Sequence, residues 1–162
     1  MPRPPKYPLK PLLEHRDRKV EDATVELGDA VREREQAADA CAQAERARRE
    51  AEERAAGLRA TEAAQLEEGA LRAVDLARRE AWEIGVKAQV TDLSRAVEAA
   101  GTALSAARNA EVAARDELAR TKADRDVVAK DQARFAERAR RAAESSEEEE
   151  AAEAWRDKRG GR

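Results

Sequence analysis

The sequence predicts an all-α protein, a long antiparallel two-helix coiled-coil hairpin. Three observations predict it. First, Leu13, Arg16, Val20, Ala23, Leu27, Ala30, Arg34, Ala37, Cys41, Ala44, Arg48, Ala51, Ala55 and Leu58 follow a 3-4 spacing that never slips. Second, the spacing returns at Val90, Leu93, Val97, Ala100, Leu104, Ala107, Glu111, Ala114, Leu118, Thr121, Arg125, Val128, Gln132, Phe135, Ala139 and Ala142. Third, all five prolines fall within the first eleven residues, so none interrupts a helix beyond them. Each stripe is narrow and flanked by charge. That is a seam for one partner helix, not the wide apolar face of a globular helix.

Composition sets the limits of what such a chain can bury. Of its 162 residues, 41% are charged and 2% aromatic, and alanine dominates the hydrophobic 41%. A compact core of ordinary size is therefore not available. High charge with low hydrophobicity also suits disorder. The sustained period and the abundance of Ala, Glu, Arg, Gln and Leu, all strong helix formers, argue for helix instead. The formal net charge is −3, with both signs interleaved. That is the pattern of a solvated helix and not of a nucleic-acid patch, so no nucleic-acid partner is expected. No run of roughly 18 apolar residues is present, and no membrane insertion is expected. The N-terminus carries Arg and Lys without an apolar stretch, so no secretory signal is expected. Cys41, on the first seam, reads as a packed thiol in a reducing compartment. These features together predict a cytoplasmic protein.

Residues 1–10 form an irregular, Pro-rich lead-in, because proline fixes φ, removes a donor and biases its predecessor to extended conformations. Pro11 suits the first turn of a helix, where a missing N–H costs nothing. The first helix is expected from Pro11 to Glu68, roughly 85 Å at 1.5 Å per residue. Glu14–Arg18, Glu45–Arg49 and Glu50–Arg54 support its exposed face at four-residue spacing, about 0.2–0.5 kcal/mol each. The hairpin occupies residues 11–144, with its tip near 57–90. Gly57, Gly69 and Gly85 are the candidate breaks, and near-equal arms favour a turn around Gly69, since glycine supplies the left-handed residue that commonly ends a helix.

The stretch from Leu71 to Val90 is richer in large apolar residues than either arm. It reads either as a cluster closing the tip or as an exposed contact for another protein. The second helix is expected from Leu71 to Ala143 or beyond, with the surface pairs Glu111–Arg115, Asp116–Arg120, Asp126–Lys130 and Glu137–Arg141. Residues 145–162 form a charged, partly disordered tail containing an acidic run, Trp155 and a basic end. Ser145 and Ser146 are candidate caps of a new helical segment there. Trp155 is expected to dock on the first helix or on a partner.

No chemistry is legible. His15 and Cys41 are the only residues of their kinds, and neither has a neighbour at metal-ligand or nucleophile spacing. Carboxylates on an exposed helix face lack the burial that tunes an acid–base catalyst. The expectation is no enzyme, no metal and no cofactor. The polar seam residues Arg16, Arg34, Arg48, Glu111 and Arg125 have two readings. They fix register or partner at some cost in stability, or their long stems cover the alanine seam and reach water.

The opening stretch Tyr7-Pro-Leu9-Lys-Pro-Leu12-Leu13-Glu14-His15-Arg16-Asp17-Arg18-Lys19-Val20-Glu21-Asp22-Ala23 resembles the start of the stalk proteins of type III secretion systems. These are the YscO family of injectisomes and its flagellar relative FliJ. The shared features are an aromatic residue, Leu, a Leu-Leu pair, Arg with acids, then Glu and Ala one heptad on. The likeness covers about 20 residues as motif and the whole chain as architecture.

The resemblance implies an antiparallel coiled-coil stalk, not itself an enzyme. It inserts into the hexameric secretion ATPase and links it to the export gate of the inner membrane. Secretion chaperones are further partners, and the protein is cytoplasmic, peripheral to that membrane through the export apparatus. The ATPase end would be the hairpin base, here Leu9, Leu12, Leu13, Arg16, Val20, Phe135 and Trp155. The gate contact would lie early in the second helix, at Trp82, Gln89, Leu93, Ala96 and Ala100. Leu93 and Ala96 match the family's Leu-x-x-Ala, whereas its Phe and His positions fall on Gln89 and Ala100. The rival readings are a parallel dimeric coiled-coil scaffold or tether unrelated to secretion, and a cytoplasmic chaperone-like or ribosome-associated helical protein.

Overall fold

The computed structural model of the chain describes residues 5–69 and 72–160. It contains two long helices, α1 (Lys10–Glu67, 58 residues) and α2 (Ala73–Gly160, 88 residues). No strand occurs among the described residues. The chain divides into two compact units, and each helix contributes a segment to both. Unit 1 comprises Met1–Leu27 and Ala114–Arg162, and unit 2 comprises Gly28–Ala113.

The lead-in gives way to α1 through a turn in which the Lys10 amide donates to the Tyr7 carbonyl at 3.4 Å. Pro11 then sits in the first helical turn, where it costs no hydrogen bond. At the other end of α1, the Gly69 amide donates to the Leu66 carbonyl at 3.1 Å, and Gly69 has φ 70°. No non-glycine residue adopts positive φ among those described. Among the described residues, glycine is therefore placed at the one position where a Cβ would meet backbone strain. The expected first residue of the second helix, Leu71, lies outside the described residues. Arg72 immediately precedes α2, and its amide donates to Asp75 Oδ2 at 3.0 Å. The acid in the first turn thus satisfies one of the helix's orphan donors.

Both seams turn inward. In α1 every seam position but Leu58 is buried or half-buried, and in α2 every seam position but Ala142. The deepest positions in α1 are small: Ala23 in unit 1 is 4% exposed, and Ala51 and Ala55 in unit 2 are 5% and 4%. Alanine at these sites lets the helices approach toward the low end of the roughly 8–10 Å range for packed pairs.

In each unit polar side chains of the lead-in or α1 pair with residues of α2. In unit 1, Tyr7 meets Asp131, Arg16 meets Asp124 and Asp17 meets Arg125. In unit 2, Arg34 meets Glu111, Arg59 meets Glu83 and Glu62 meets Arg79. In unit 2 partner numbers in α2 fall from 111 to 83 to 79 as those in α1 rise from 34 to 59 to 62; in unit 1 the adjacent residues Arg16 and Asp17 meet the adjacent residues Asp124 and Arg125.

α2 continues to Gly160, through residues that composition alone sets apart as a tail. Ser145 and Ser146 lie inside the helix and cap nothing. Ala, Glu and Arg supply the helical preference there, and repulsion within the acidic run costs only tenths of a kcal/mol per pair, about 0.2–0.5.

Candidate functional site

The only Tyr and the only Phe of the chain meet in unit 1. The two ring centroids lie 5.5 Å apart with the planes tilted by 59°. The Tyr7 hydroxyl donates to Asp131 Oδ2 at 2.8 Å, with the Val128 carbonyl a further 3.4 Å contact. Desolvation raises the Tyr7 phenol above its ordinary value of 10.0, and the bond to Asp131 and its negative charge push the same way. The lead-in is thereby clasped to α2. Beside the clasp is a cavity of about 390 Å³ lined by Pro5, Tyr7, Gln132, Phe135, Ala136, Ala139, Arg140 and Ala143. Apolar periodicity does not reveal this contact. The signal that could have done so is scarcity: in a chain this poor in aromatics, each ring has few places to pack.

The predicted base residues separate into two groups. Leu13, Arg16, Val20 and Phe135 are half-buried in the helix pair, and Arg16 Nη1 meets Asp124 Oδ2 at 2.9 Å. Leu9 (43% exposed), Leu12 (38%) and Trp155 (57%) face solvent. The Arg159 guanidinium lies 4.0 Å from the Trp155 ring centroid, one helical turn on.

Unit 2 holds the other candidate surface. Arg59 makes two 2.7 Å hydrogen bonds, Nε to Glu83 Oε1 and Nη2 to Glu83 Oε2. Its guanidinium lies 6.0 Å from the Trp82 ring centroid. The bond from Arg59 holds the Glu83 carboxyl below its ordinary value of 4.5, against the opposing effect of desolvation. Leu93 and Ala100 are half-buried on the seam, as is Trp82, while Gln89 and Ala96 are exposed at its edge. All five sit at helical spacing, so one face of α2 carries them. Alongside runs a groove of about 470 Å³ lined by Ala55, Ile84, Val86 and Val90 with the charged Glu52, Arg59, Glu80, Glu83 and Lys87.

The large apolar residues near the turn are open to solvent: Leu58, Leu66, Val74, Leu76 and Ile84 are each about half exposed or more. Within the stretch from Leu71 to Val90, Trp82, Val86 and Val90 are half-buried and Leu71 lies outside the described residues, so the structure leaves both readings of it standing.

The polar seam residues are paired, mostly across the helices. Arg34 Nε meets Glu111 Oε2 at 3.0 Å, and Arg125 Nε meets Asp17 Oδ1 at 2.9 Å. Arg48 instead lies 3.8 Å from Glu52 within α1. Hydrogen bonds to Asp17 and Asp126 raise the Arg125 guanidinium further above its already high value. His15 is exposed and Cys41 half-buried. Among the described residues no His, Cys, Asp and Glu side chains gather in a metal-binding group. No helix there is long and apolar enough to cross a membrane. No family model, curated relative or solved structure matches the chain.

Proposed function

We propose that the chain is the central stalk of a type III secretion export apparatus of the injectisome kind. Its two helices form an antiparallel coiled coil that enters the hexameric secretion ATPase and links it to the inner-membrane export gate. It supports protein export and is not itself an enzyme. The protein works in the cytoplasm, held at the inner membrane through the apparatus, with secretion chaperones as further partners.

The observation that carries this reading is the order of the cross-helix pairs. In unit 2 the α2 partner falls from 111 to 83 to 79 as the α1 residue rises from 34 to 59 to 62, and in both units polar residues of the two helices pair within one chain. A parallel dimeric scaffold would need those seams for a second chain. Leu9, Leu12 and Trp155 are the open members of the ATPase end, with Leu13, Arg16, Val20 and Phe135 holding the helix pair beneath them. Trp82, Gln89, Leu93, Ala96 and Ala100 form the gate face.

The test is to add the purified chain to a hexameric secretion ATPase and follow both co-sedimentation and ATP hydrolysis. Binding with faster hydrolysis, both weakened by Leu9→Ala with Leu12→Ala, is the expected result. A chain that neither binds nor stimulates the hexamer ends the stalk reading.

A further inference from the structure

Beyond the cavity that Arg140 and Ala143 share with Pro5 and Tyr7, the last part of α2 in unit 1 is open to solvent: every residue from 144 to 156 is exposed. Its sequence is ordered in three blocks. Residues 147–150 are four glutamates, 151–155 are mainly apolar and end in Trp155, and 156–159 carry three basic residues against one acid. Turned end for end about position 153, the acidic and basic blocks come level, with Glu149 opposite Asp157 and Glu153 opposite itself as the like-charge exceptions. Glu147 comes level with Arg159, Glu150 with Arg156, and Ala151 with Trp155. Spacing of three and four residues also puts Glu144, Glu148, Ala151, Trp155 and Arg159 along one face of the helix. That face runs from acidic through apolar to basic.

We propose that this extension is a self-association surface for a second copy of the chain. The two copies lie antiparallel, the acidic block of each against the basic block of the other, with each Trp155 over the partner's Ala151 level. The contact is isologous, so one patch supplies both halves of the interface. Charge fixes the direction: a parallel alignment sets the four glutamates against themselves, and like charges in register repel. The guanidinium of Arg159 lies 4.0 Å from the Trp155 ring centroid, so the apolar ring and the basic block are already neighbours on the helix. An unpacked helix of this length is marginal in water, because most helical stability comes from packing, and the second copy supplies it. The proposal goes beyond the stalk reading and does not rest on it. Self-association covers Trp155 and so competes with any other use of that side chain.

The test measures the mass of the full chain in solution by light scattering and sedimentation. The expected result is a reversible dimer at about 0.1 M salt that dissociates at about 1 M, as the screening length shortens from roughly 10 Å to 3 Å. One charge-reversed chain carries Glu147→Lys with Glu148→Lys, the other Arg156→Glu with Arg159→Glu. Each alone is monomeric, and an equimolar mixture of the two dimerises. Trp155→Ala weakens the wild-type dimer about tenfold. A wild-type chain that stays monomeric at its highest soluble concentration overturns the proposal. So does a dimer indifferent to either reversal, or a mixture that stays monomeric.

Discussion

Replacing Ala51 by leucine separates a tight seam from a loose one, because the two predict opposite signs. Ala51 is 5% exposed, and Ala55, one turn on, is 4% exposed. Leucine adds three carbons. If the space between the helices were slack, their burial would stabilise the pair by roughly 2.4 kcal/mol, at about 0.8 per carbon. If alanine is there because the backbones are close, the same carbons force the helices apart or the side chain off its rotamer. Overpacking of that kind costs about 1–3 kcal/mol. The burial of both alanines favours the second case. For a chain of this size about 2–4 °C of Tm accompanies each kcal/mol, so the expected fall is roughly 2–12 °C. Ala56, exposed on the next position of α1, is the control, and leucine there is expected to change stability by about 0.5 kcal/mol at most. Thermal and urea unfolding followed by far-UV circular dichroism reads both. A rise in Tm for Ala51→Leu, with Ala56→Leu unchanged, refutes the close approach of the helices.

Glycine replacements are expected to split by sign. Gly69→Ala, at φ 70°, destabilises by about 1 kcal/mol or more, whereas Gly85→Ala, where an added Cβ meets nothing within 4 Å, stabilises by about 0.5–1 kcal/mol. Urea midpoints check both. Tyr7 is the only tyrosine, so its phenolate absorbance is unambiguous. The midpoint is expected above 10.0 in the wild type and nearer 10.0 in Asp131→Ala, and a wild-type midpoint at or below 10.0 removes the clasp. Because the folded phenol is the raised one, its contribution to stability is intact below 10.0 and is lost as pH rises through the folded value. Glu83 works in the other direction. Its folded carboxyl lies below 4.5, so its ion pair stabilises above 4.5 and is lost as pH falls through the folded value. The Tm difference between wild type and Glu83→Gln is expected at neutral pH and to close in acid, and a gap that persists at low pH contradicts the assignment.

The seams were legible because helix geometry repeats them many times over, and a single misplaced residue cannot hide a period kept across dozens of positions. Leu58 and Ala142 depart from it at the ends of the stripes, and Ala142 lies past the level where α1 begins to pair. The turn was legible because only glycine occupies left-handed backbone without strain. What periodicity could not supply was register. Asp17 and Asp124 look like any other surface acids until α1 and α2 are aligned, and only then do they become partners of Arg125 and Arg16. The helicity of 145–160 was hidden for a related reason. A charge run without a seam gives no period, yet its residues retain helical preference. Of the base residues, sequence could place Leu9, Leu12 and Trp155 near the termini but could not say that they are the exposed ones.

The polar seam residues account for uniqueness in a way the alanines cannot. One alanine layer resembles the next, so sliding α2 by a heptad against α1 changes little of the apolar contact. The ion pairs respond differently. After such a slide Arg34 would face Leu104 or Leu118 in place of Glu111, and Arg59 would face Leu76 or Val90 in place of Glu83. Asp17 would lose Arg125 to Leu118 or Gln132. Arg16 alone would not discriminate, because the positions a heptad either side of Asp124 are Glu117 and Asp131. Glu111, only 7% exposed, weighs most, since a buried carboxylate moved away from its guanidinium keeps the cost of its lost hydration. That penalty is about 1–3 kcal/mol and belongs toward the lower end, because Arg34 keeps about a third of its side chain in water. Few layers carry such pairs, and that suffices: a seam of near-identical alanine steps needs only occasional positions at which the wrong register is worse.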